Sequence, residues 1–432
     1  MQVNIEPLTM RLGKREVDIF PFWIAILGLG IIFGLVGAYH VFAYGLQVTG
    51  LTNQVPWGLW ITLDLSAIAL GGSAFTFGVI VYLLRIKRME IVGKLAVLLG
   101  FLGYSAAGMV LLFDLGQPLR FWHPVVFWQP HSLLWEITMC VVLYLTVLIA
   151  ELIPIVLEHP VFTNHPWILR NSFLRKASGG LNWLAHRLHS IAPALAVIGL
   201  TLSLLHQASL GATYSVLSGR GLWFNQSAPV QFVLSAMGGG TALLFFLSVV
   251  VFRIMRPGLV KDDVLYDVAR IAGAIVLLCI YIRVWDWAVT NYYSFDVEVA
   301  LQTEMLNSIT PYSTSFWVGQ VLFALIPGTL LLMAKRIRNF RILMIAAVLP
   351  AFCTVLVRWN YNFSGLIAWI TYDPYTPTVV LNSYAPTWQE WAVASLVISY
   401  WLIGFSLAAR YLPFSKADHE HHLEHNEKTQ KG

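Results

Sequence analysis

Residues 56–88 are PWGLWITLDLSAIALGGSAFTFGVIVYLLRIKR, and this stretch decides the fold class. Its apolar middle is longer than the roughly 20 residues that a helix needs to cross a bilayer. Tryptophans stand at one end, and arginines and a lysine stand at the other, which is typical of a membrane-spanning helix. One acidic residue, Asp64, interrupts the apolar run. We therefore predict a transmembrane helix over 57–84 that carries a carboxyl group.

Nine further segments of the 432-residue chain have the same character. They are about 20–45, 92–113, 132–157, 189–211, 229–252, 268–290, 314–334, 340–359 and 389–411. Only 11% of the residues are charged, against about 25% in ordinary soluble proteins, and 58% are hydrophobic. This composition excludes a soluble enzyme, a nucleic-acid-binding protein and a disordered chain. We predict an all-α polytopic membrane protein with about ten transmembrane helices.

The basic residues indicate the orientation of these helices. Of the 27 Lys and Arg residues, 23 lie in the N-terminal segment, the even-numbered connections and the C-terminal tail. The positive-inside rule places these parts in the cytoplasm. We expect a bacterial or archaeal inner membrane protein with a cytoplasmic segment 1–19, a ten-helix domain 20–411 and a cytoplasmic tail 412–432. The aromatic odd-numbered connections then face outward. An aromatic belt at the membrane interface explains many of their tryptophans, and we expect these loops to dock a partner protein as well.

Two of the predicted helices contain similar stretches, LSAIALGGSAF (65–75) and LSAMGGGTALLF (234–245). Small residues at these steps allow close helix packing, so convergence by chance is an alternative to duplication. We interpret them as a duplicated four-helix unit. The first bundle covers about 57–211, with a long cytoplasmic connection at 158–188, and the second covers about 229–359. Val233 is the counterpart of Asp64, so only one half carries this carboxyl.

Most ionisable side chains of the spans lie near the outer end, where three of them are difficult to explain structurally. Burying an ionisable group in a span costs at least about 2.5 kcal/mol. His40, Asp64 and His206 have no evident partner in the sequence. A histidine and a carboxyl below tryptophans suit a quinone head group, whose carbonyls need donors and whose reduction consumes two protons.

Structural explanations compete at other positions. Arg283 and Asp286 are spaced as an i,i+3 ion pair, and Arg358 is placed to extend its head group to the interface. The tail HEHHLEH (419–425) could bind a metal, although a solvated polar tail explains it more simply. We therefore predict no metal site.

Haem is the main rival cofactor. His40 and His206, with His131 at the start of the fourth span, are the histidines at a suitable depth for axial ligands. A two-haem cytochrome needs four such residues, so we do not expect haem. Cys140, Cys279 and Cys353 lie far apart and form no CxxC pair, so we expect no iron–sulfur cluster in this chain.

Four motifs carry a family resemblance: PWGLWITLD (56–64), FDLGQP (113–118), LHQASLG (205–211) and VRWNYNFSG (357–365). They resemble the NrfD/PsrC family of membrane subunits, and within it the ten-span branch that contains HybB, DsrP and QrcD. The resemblance covers nearly the whole chain. It implies two four-helix bundles plus flanking helices, surrounded by membrane lipid.

The resemblance also implies a function. Such a chain is the quinone-interacting subunit of a respiratory oxidoreductase and is not an enzyme on its own. A periplasmic ferredoxin-like iron–sulfur subunit exchanges electrons with menaquinone or ubiquinone held in the first bundle, and further catalytic or cytochrome subunits complete the complex. By motif and depth, the quinone-binding residues here are His40, Asp64, His206 and Trp60.

A proton path is the last expectation. Asp114 and Glu136 are candidates for exchange with the periplasm, and Glu151 for an inward extension. Glu136 and Glu151 are separated by about 22 Å of helix, which is too far for one proton transfer. A proton- or ion-translocating subunit, or a membrane anchor without its own quinone site, are the alternative functions.

Overall fold

A computed structural model describes residues 9–12, 15–157, 172–293, 297–372 and 375–414. Within these residues, ten helices are long and apolar enough to cross a membrane. Numbered as spans 1 to 10, they are Phe20–Val48, Leu59–Leu83, Lys87–Asp114, Leu133–Leu157, Ala192–Ser215, Ala228–Met255, Asp262–Tyr292, Tyr312–Leu332, Phe340–Ile367 and Trp388–Tyr411. The predicted all-α, ten-span fold is confirmed.

Shorter elements lie between the spans. Two antiparallel hairpins pair Thr9–Leu12 with Arg15–Asp18 and Ala368–Tyr372 with Pro377–Leu381. The helices outside the spans are Pro118–Arg120, His123–Val126, Ser172–Ser190, Val297–Ser308 and Ala334–Ile337. The connections after odd-numbered spans form what we call the aromatic face, and those after even-numbered spans form the basic face. The polar tail 419–425 lies outside the described residues.

Three spans contain π-helical turns, and one of these spans is also broken. Span 2 breaks between Leu59–Leu70 and Ser73–Gly78, and then ends in a π-helical turn, Val79–Leu83. Span 6 ends in the same way at Val250–Met255, and span 8 contains a π-helical stretch at Ser315–Leu322. The terminal π turns thus occur at corresponding places in the two spans that share the sequence repeat.

Span 9 continues to Ile367, well beyond the predicted end at 359. A polar residue of this extension forms bonds around the beginning of span 2. Asn362 Nδ2 donates to Trp57 O at 3.2 Å and to Thr62 Oγ1 at 3.4 Å. Arg358 therefore lies inside the helix and is fully buried. The interpretation that it extends to the interface is wrong, because its guanidinium packs within the protein.

The helices pack in three groups. Spans 2 to 5 surround one another, spans 6 to 9 do the same, and spans 1 and 10 pair and lie against span 3. The first two groups meet where the repeated glycine steps face each other. A Cβ on Gly72 would lie 2.7 Å from Ala236 O, and one on Gly240 would lie 2.7 Å from Ser73 N. Only glycine permits this approach of spans 2 and 6.

Candidate functional site

Buried polar groups without partners gather in spans 2 and 5, toward the aromatic face. Asp64 is 4% exposed, and its Oδ1 has no hydrogen-bond partner among the described residues. His206 is fully buried, and neither ring nitrogen has a partner there. Gln207 Nε2 donates to Ile68 O at 3.3 Å, but its Oε1 is also unpaired. Such groups are costly inside a membrane domain, so they indicate a place where a ligand or a proton is handled.

Two tyrosines, from spans 3 and 4, continue outward from His206. The Tyr104 ring lies 5.5 Å from the His206 ring, and the Tyr144 ring lies 4.6 Å from that of Tyr104. The Tyr104 hydroxyl is 3.3 Å from Ser203 Oγ. Asp64 lies close enough to Tyr104 to interact with it electrostatically. The carboxyl, imidazole and phenol groups therefore form one cluster in the first bundle, which we call the acid–imidazole cluster.

Trp60 lies at a junction between span 2 and span 10. It is 1% exposed, and its Nε1 donates to Glu390 O at 3.1 Å, so it joins span 2 to span 10. Glu390 Oε2 accepts from Gly50 N at 2.7 Å. Tyr384 donates to the other carboxylate oxygen and accepts from Leu59 N at 2.7 Å. Burial, and then the bond to Glu390, raise the pKa of Tyr384.

A row of carboxyl groups leads from this junction to the acid–imidazole cluster. Asp114 is the last residue of span 3, and its buried Oδ1 has no hydrogen-bond partner among the described residues. It lies within electrostatic reach of Glu390 on one side and of Asp64 on the other. Glu390 was not among the residues predicted for the site. The pattern Thr387-x-x-Glu390 before an apolar run is typical of a helix capping box.

His40 does not join the cluster. It is half-buried near the aromatic-face end of span 1, and its ring contacts Tyr39, Tyr44 and Trp388. None of the described ring or hydrogen-bond contacts connects it to Asp64 or His206. The depth of a residue along a helix contains no information about which side of the helix it occupies.

The remaining predicted proton-path residues lie on span 4. Glu136 Oε1 accepts a bond from Cys140 Sγ at 3.2 Å, and its Oε2 is buried without a partner among the described residues. Glu151 lines a cavity of about 810 Å³ between spans 2 to 5, near the basic face. Glu90, Lys94 and His189 also line this cavity. Tyr144 lines it as well, so the cavity reaches the tyrosines beside His206.

The second bundle contains cations where the first contains acids. Arg358 Nη2 donates to Phe232 O at 2.9 Å, and the guanidinium carbon lies 3.7 Å from the centre of the Phe232 ring. Its Nε and Nη1 have no partner among the described residues. Arg283 donates to Gln320 Oε1. No sequence pattern indicated how deeply Arg358 is buried.

Asp286 does not neutralise Arg283, so the predicted i,i+3 ion pair is wrong. The Asp286 carboxylate instead accepts from Asn225 Nδ2 at 2.9 and 3.0 Å and from Ser227 Oγ at 2.6 Å. Tyr214, at the boundary of the two bundles, interacts electrostatically with both Asp64 and Arg358. An acidic and a basic residue thus flank one tyrosine between the bundles.

Comparison with known proteins gives consistent matches over almost the full length. The family described as polysulphide reductase, NrfD, matches residues 47–368. A menaquinone reductase integral membrane subunit of Nitratidesulfovibrio vulgaris is 31% identical over 401 residues, covering 91% of each chain. A selenate reductase subunit of Mesobacillus selenatarsenatis is 25% identical, over 94% of this chain and 97% of that one. A probable Ni/Fe-hydrogenase 2 b-type cytochrome subunit of Escherichia coli is 25% identical, over 98% and 99% respectively.

Proposed function

The chain belongs to the NrfD family, and from this premise we propose that it is the quinone-interacting membrane subunit of a multisubunit respiratory oxidoreductase. It exchanges electrons between the membrane pool of menaquinone or ubiquinone and an iron–sulfur subunit docked on the aromatic face. Relatives named as subunits of a menaquinone reductase, a selenate reductase and a hydrogenase support membership of such a complex.

The acid–imidazole cluster is the observation that carries this proposal. Asp64 and His206 are buried, lie toward one face and keep hydrogen-bonding atoms unpaired among the described residues. These atoms fit the two needs of a quinone head group, which are hydrogen bonds at its carbonyls and proton exchange. A bound quinone supplies two-electron, two-proton chemistry. Asp64 holds or releases a proton there, and His206 with Tyr104 donates hydrogen bonds.

The lipid side of the first bundle provides the entrance. Phe42 of span 1 stacks on Phe113 of span 3 at 5.1 Å, and Phe113 contacts Trp60. His40 lies half-buried on the same span as Phe42. We place His40 and Trp60 beside the path of the head group, and we place the isoprenoid tail in the lipid outside span 1.

The acidic row provides proton exchange with the aqueous side. Asp114 stands between Asp64 and the aromatic face and passes protons outward. Glu136, one turn into span 4, is a second outward candidate. Since 23 of the 27 basic residues lie in the N-terminal segment, in the connections of the basic face, in the C-terminal tail or at the basic-face ends of the spans, the aromatic face is periplasmic in this proposal and both termini are cytoplasmic.

The aromatic face has a surface that suits a docked subunit. Trp128 is 64% exposed, Phe121 is 57% exposed, and Tyr375 in the hairpin loop is 91% exposed. Large apolar side chains outside the lipid mark protein-binding surfaces. An iron–sulfur subunit seated here brings its cluster to the end of the first bundle that holds the acid–imidazole cluster.

Two substitutions test the proposal. Asp64→Asn removes the proton-exchanging group and His40→Ala removes the entrance imidazole, so both should abolish quinone-coupled turnover of the purified complex while assembly stays intact. Ser248→Ala is the matched control, since Ser248 is also buried without a hydrogen-bond partner among the described residues but lies elsewhere, in span 6. Full activity in both test variants would refute the site.

Proton translocation is a second candidate, and the cavity beside Glu151 favours it. The cavity leads from the basic face to Tyr144, and Tyr144 contacts Tyr104 next to His206. These side chains occupy part of the distance between Glu136 and Glu151. Turnover of the complex in liposomes should be sensitive to uncouplers if protons cross. A haem Soret band in the purified chain would instead support a cytochrome, as the name of the hydrogenase relative suggests.

A further inference from the structure

The second bundle contains a cavity of about 890 Å³ that the proposed function does not use. It lies among spans 6 to 9 and the helix Val297–Ser308, at the aromatic-face end. Arg283, Asp286, Trp287 and Thr303 are among its lining residues. A neighbouring pocket next to the same helix shares Thr303 and also contains Glu304. The cavity therefore continues toward the aqueous end of the bundle.

The charge around this cavity is unbalanced. Arg283 is 7% exposed and Arg358 is fully buried, and the two are close enough to repel each other. Neither forms an ion pair with a carboxylate in the part of the chain that the structure describes. Asp286 is the nearby acid on the cavity wall, but Asn225 and Ser227 occupy its oxygens. Of these groups, Arg283 and Asp286 line the cavity. The two cations lie near one anion whose bonds are to neutral groups, so one buried positive charge is left without compensation, and buried charges require it.

The unused polar groups on the cavity wall are donors. Trp287 Nε1 and Thr303 Oγ1 are buried and have no hydrogen-bond partner among the described residues. The amides nearby already donate elsewhere: Gln231 to Ser227 Oγ, and Asn307 to Asn291 Oδ1. The wall therefore offers an indole N–H and a hydroxyl that are not yet bonded, together with the Arg283 guanidinium, whereas its carboxylate, Asp286, already accepts from Asn225 and Ser227.

We propose that this cavity binds one oxyanion of the phosphate or sulfate type, held by Arg283, Trp287 and Thr303. A tetrahedral anion has several oxygens, so each donor receives its own acceptor, and guanidinium groups match such anions in geometry as well as in charge. The added negative charge also compensates the Arg283–Arg358 pair. The anion is either free in solution or is the phosphodiester of a phospholipid head group.

Binding of radiolabelled inorganic phosphate to the full chain in detergent tests this site. Wild type should bind one phosphate per chain, and sulfate should compete at constant ionic strength where chloride does not. Arg283→Gln should weaken binding about 30-fold or more, as expected when one partner of a buried charge-assisted bond is removed. Trp287→Phe keeps the ring, removes the donor and should weaken binding about fivefold. Arg336→Gln, which removes an exposed arginine, should change nothing.

Native mass spectrometry distinguishes the two sources of the anion. A phospholipid retained one-to-one by wild type and by Arg336→Gln, but lost from Trp287→Phe and Arg283→Gln, identifies a lipid head group. In that case phosphate binds only after delipidation. Equal phosphate binding by wild type, Trp287→Phe and Arg283→Gln would overturn the proposal. So would the absence of both phosphate binding and a retained phospholipid in wild type.

Discussion

The two four-helix groups have similar packing but different ionisable groups in their interiors. Spans 2 to 5 bury Asp64 with His206, whereas spans 6 to 9 bury Arg283 and Arg358. Spans 2 and 6 share the glycine step and the terminal π turn, yet Val233 stands where the repeat would place a second acid. The comparison teaches that small residues determine how the helices pack, while a few polar substitutions determine what each half can bind.

The glycine contact between the two halves should give the largest effect. In Gly240→Leu, the new Cβ would meet Ser73 N at 2.7 Å, and neither backbone can yield without separating spans 2 and 6. We expect a loss of at least about 3 kcal/mol of stability, measured by thermal unfolding in detergent. Gly108→Ala, where nothing lies within 4 Å of the new carbon, is the control. Equal melting of the two variants would show that the halves do not depend on this contact.

Removing one phenol hydroxyl from each half tests whether only the first half serves the quinone. Tyr104→Phe removes the hydroxyl beside His206, and turnover of the complex should fall about 100-fold if that group takes part in proton transfer. Tyr361→Phe is the counterpart in the second half and should leave turnover within about twofold of wild type, since a single non-reacting contact is worth little. Similar losses in both variants would remove the functional difference between the halves.

The Glu390 junction joins span 10 to the connection before span 2 and to the start of span 2. Glu390→Ala leaves Gly50 N and Tyr384 without their acceptor, so we expect about 2 kcal/mol of destabilisation. The exposed Glu304→Ala, in the second half, should change the melting temperature very little. If Glu390→Ala has the same melting temperature as wild type, this junction contributes nothing to stability.

The smallest expected effect on stability concerns the solvent-accessible ion pair of Asp18 and Arg410, which contrasts with the buried arginines that lack an ion pair. The bond from Arg410, and then the Phe20 N–H, lower the pKa of Asp18 below its usual 3.8. Its contribution is therefore present above pH 3.8 and is lost as the pH falls through the lowered folded-state pKa. Asp18→Asn should cost at most about 1 kcal/mol near neutral pH and nothing in strong acid. A larger loss that does not depend on pH would contradict this assignment.

Hydropathy and basic-residue counts predicted the fold because they report what lipid requires of each helix separately. The ten spans and the buried position of Asp64 could be predicted in this way. The extension of span 9 could not, because Asn362 is acceptable inside the protein only through its bonds to Trp57 O and Thr62 Oγ1. Hydropathy does not contain information about such partners.

The candidate site could be predicted less completely, for a geometric reason. Sequence position gives the depth of a residue, but not its direction around the helix axis. Asp64 and His206 face the same interior, whereas His40 at a similar predicted depth faces the periphery beside Trp388. Glu390 was not among the predicted site residues because an acid in the first turn of a helix is already explained by capping. Its further bonds to other segments leave no separate signal in the sequence.

The π turns that end spans 2 and 6 determine how these helices tolerate changes in length. Such a turn contains one residue more than an α-helical turn. Because one residue corresponds to about 100° around a helix axis, accommodating it in a π turn avoids rotating the rest of the helix by that angle. Deleting one residue within 79–83 can convert the bulge to regular helix and leave Asp64, about 22 Å of helix away by rise per residue, in its original direction. The two halves thus have a position near the basic face where insertions and deletions can be absorbed without disturbing the opposite end.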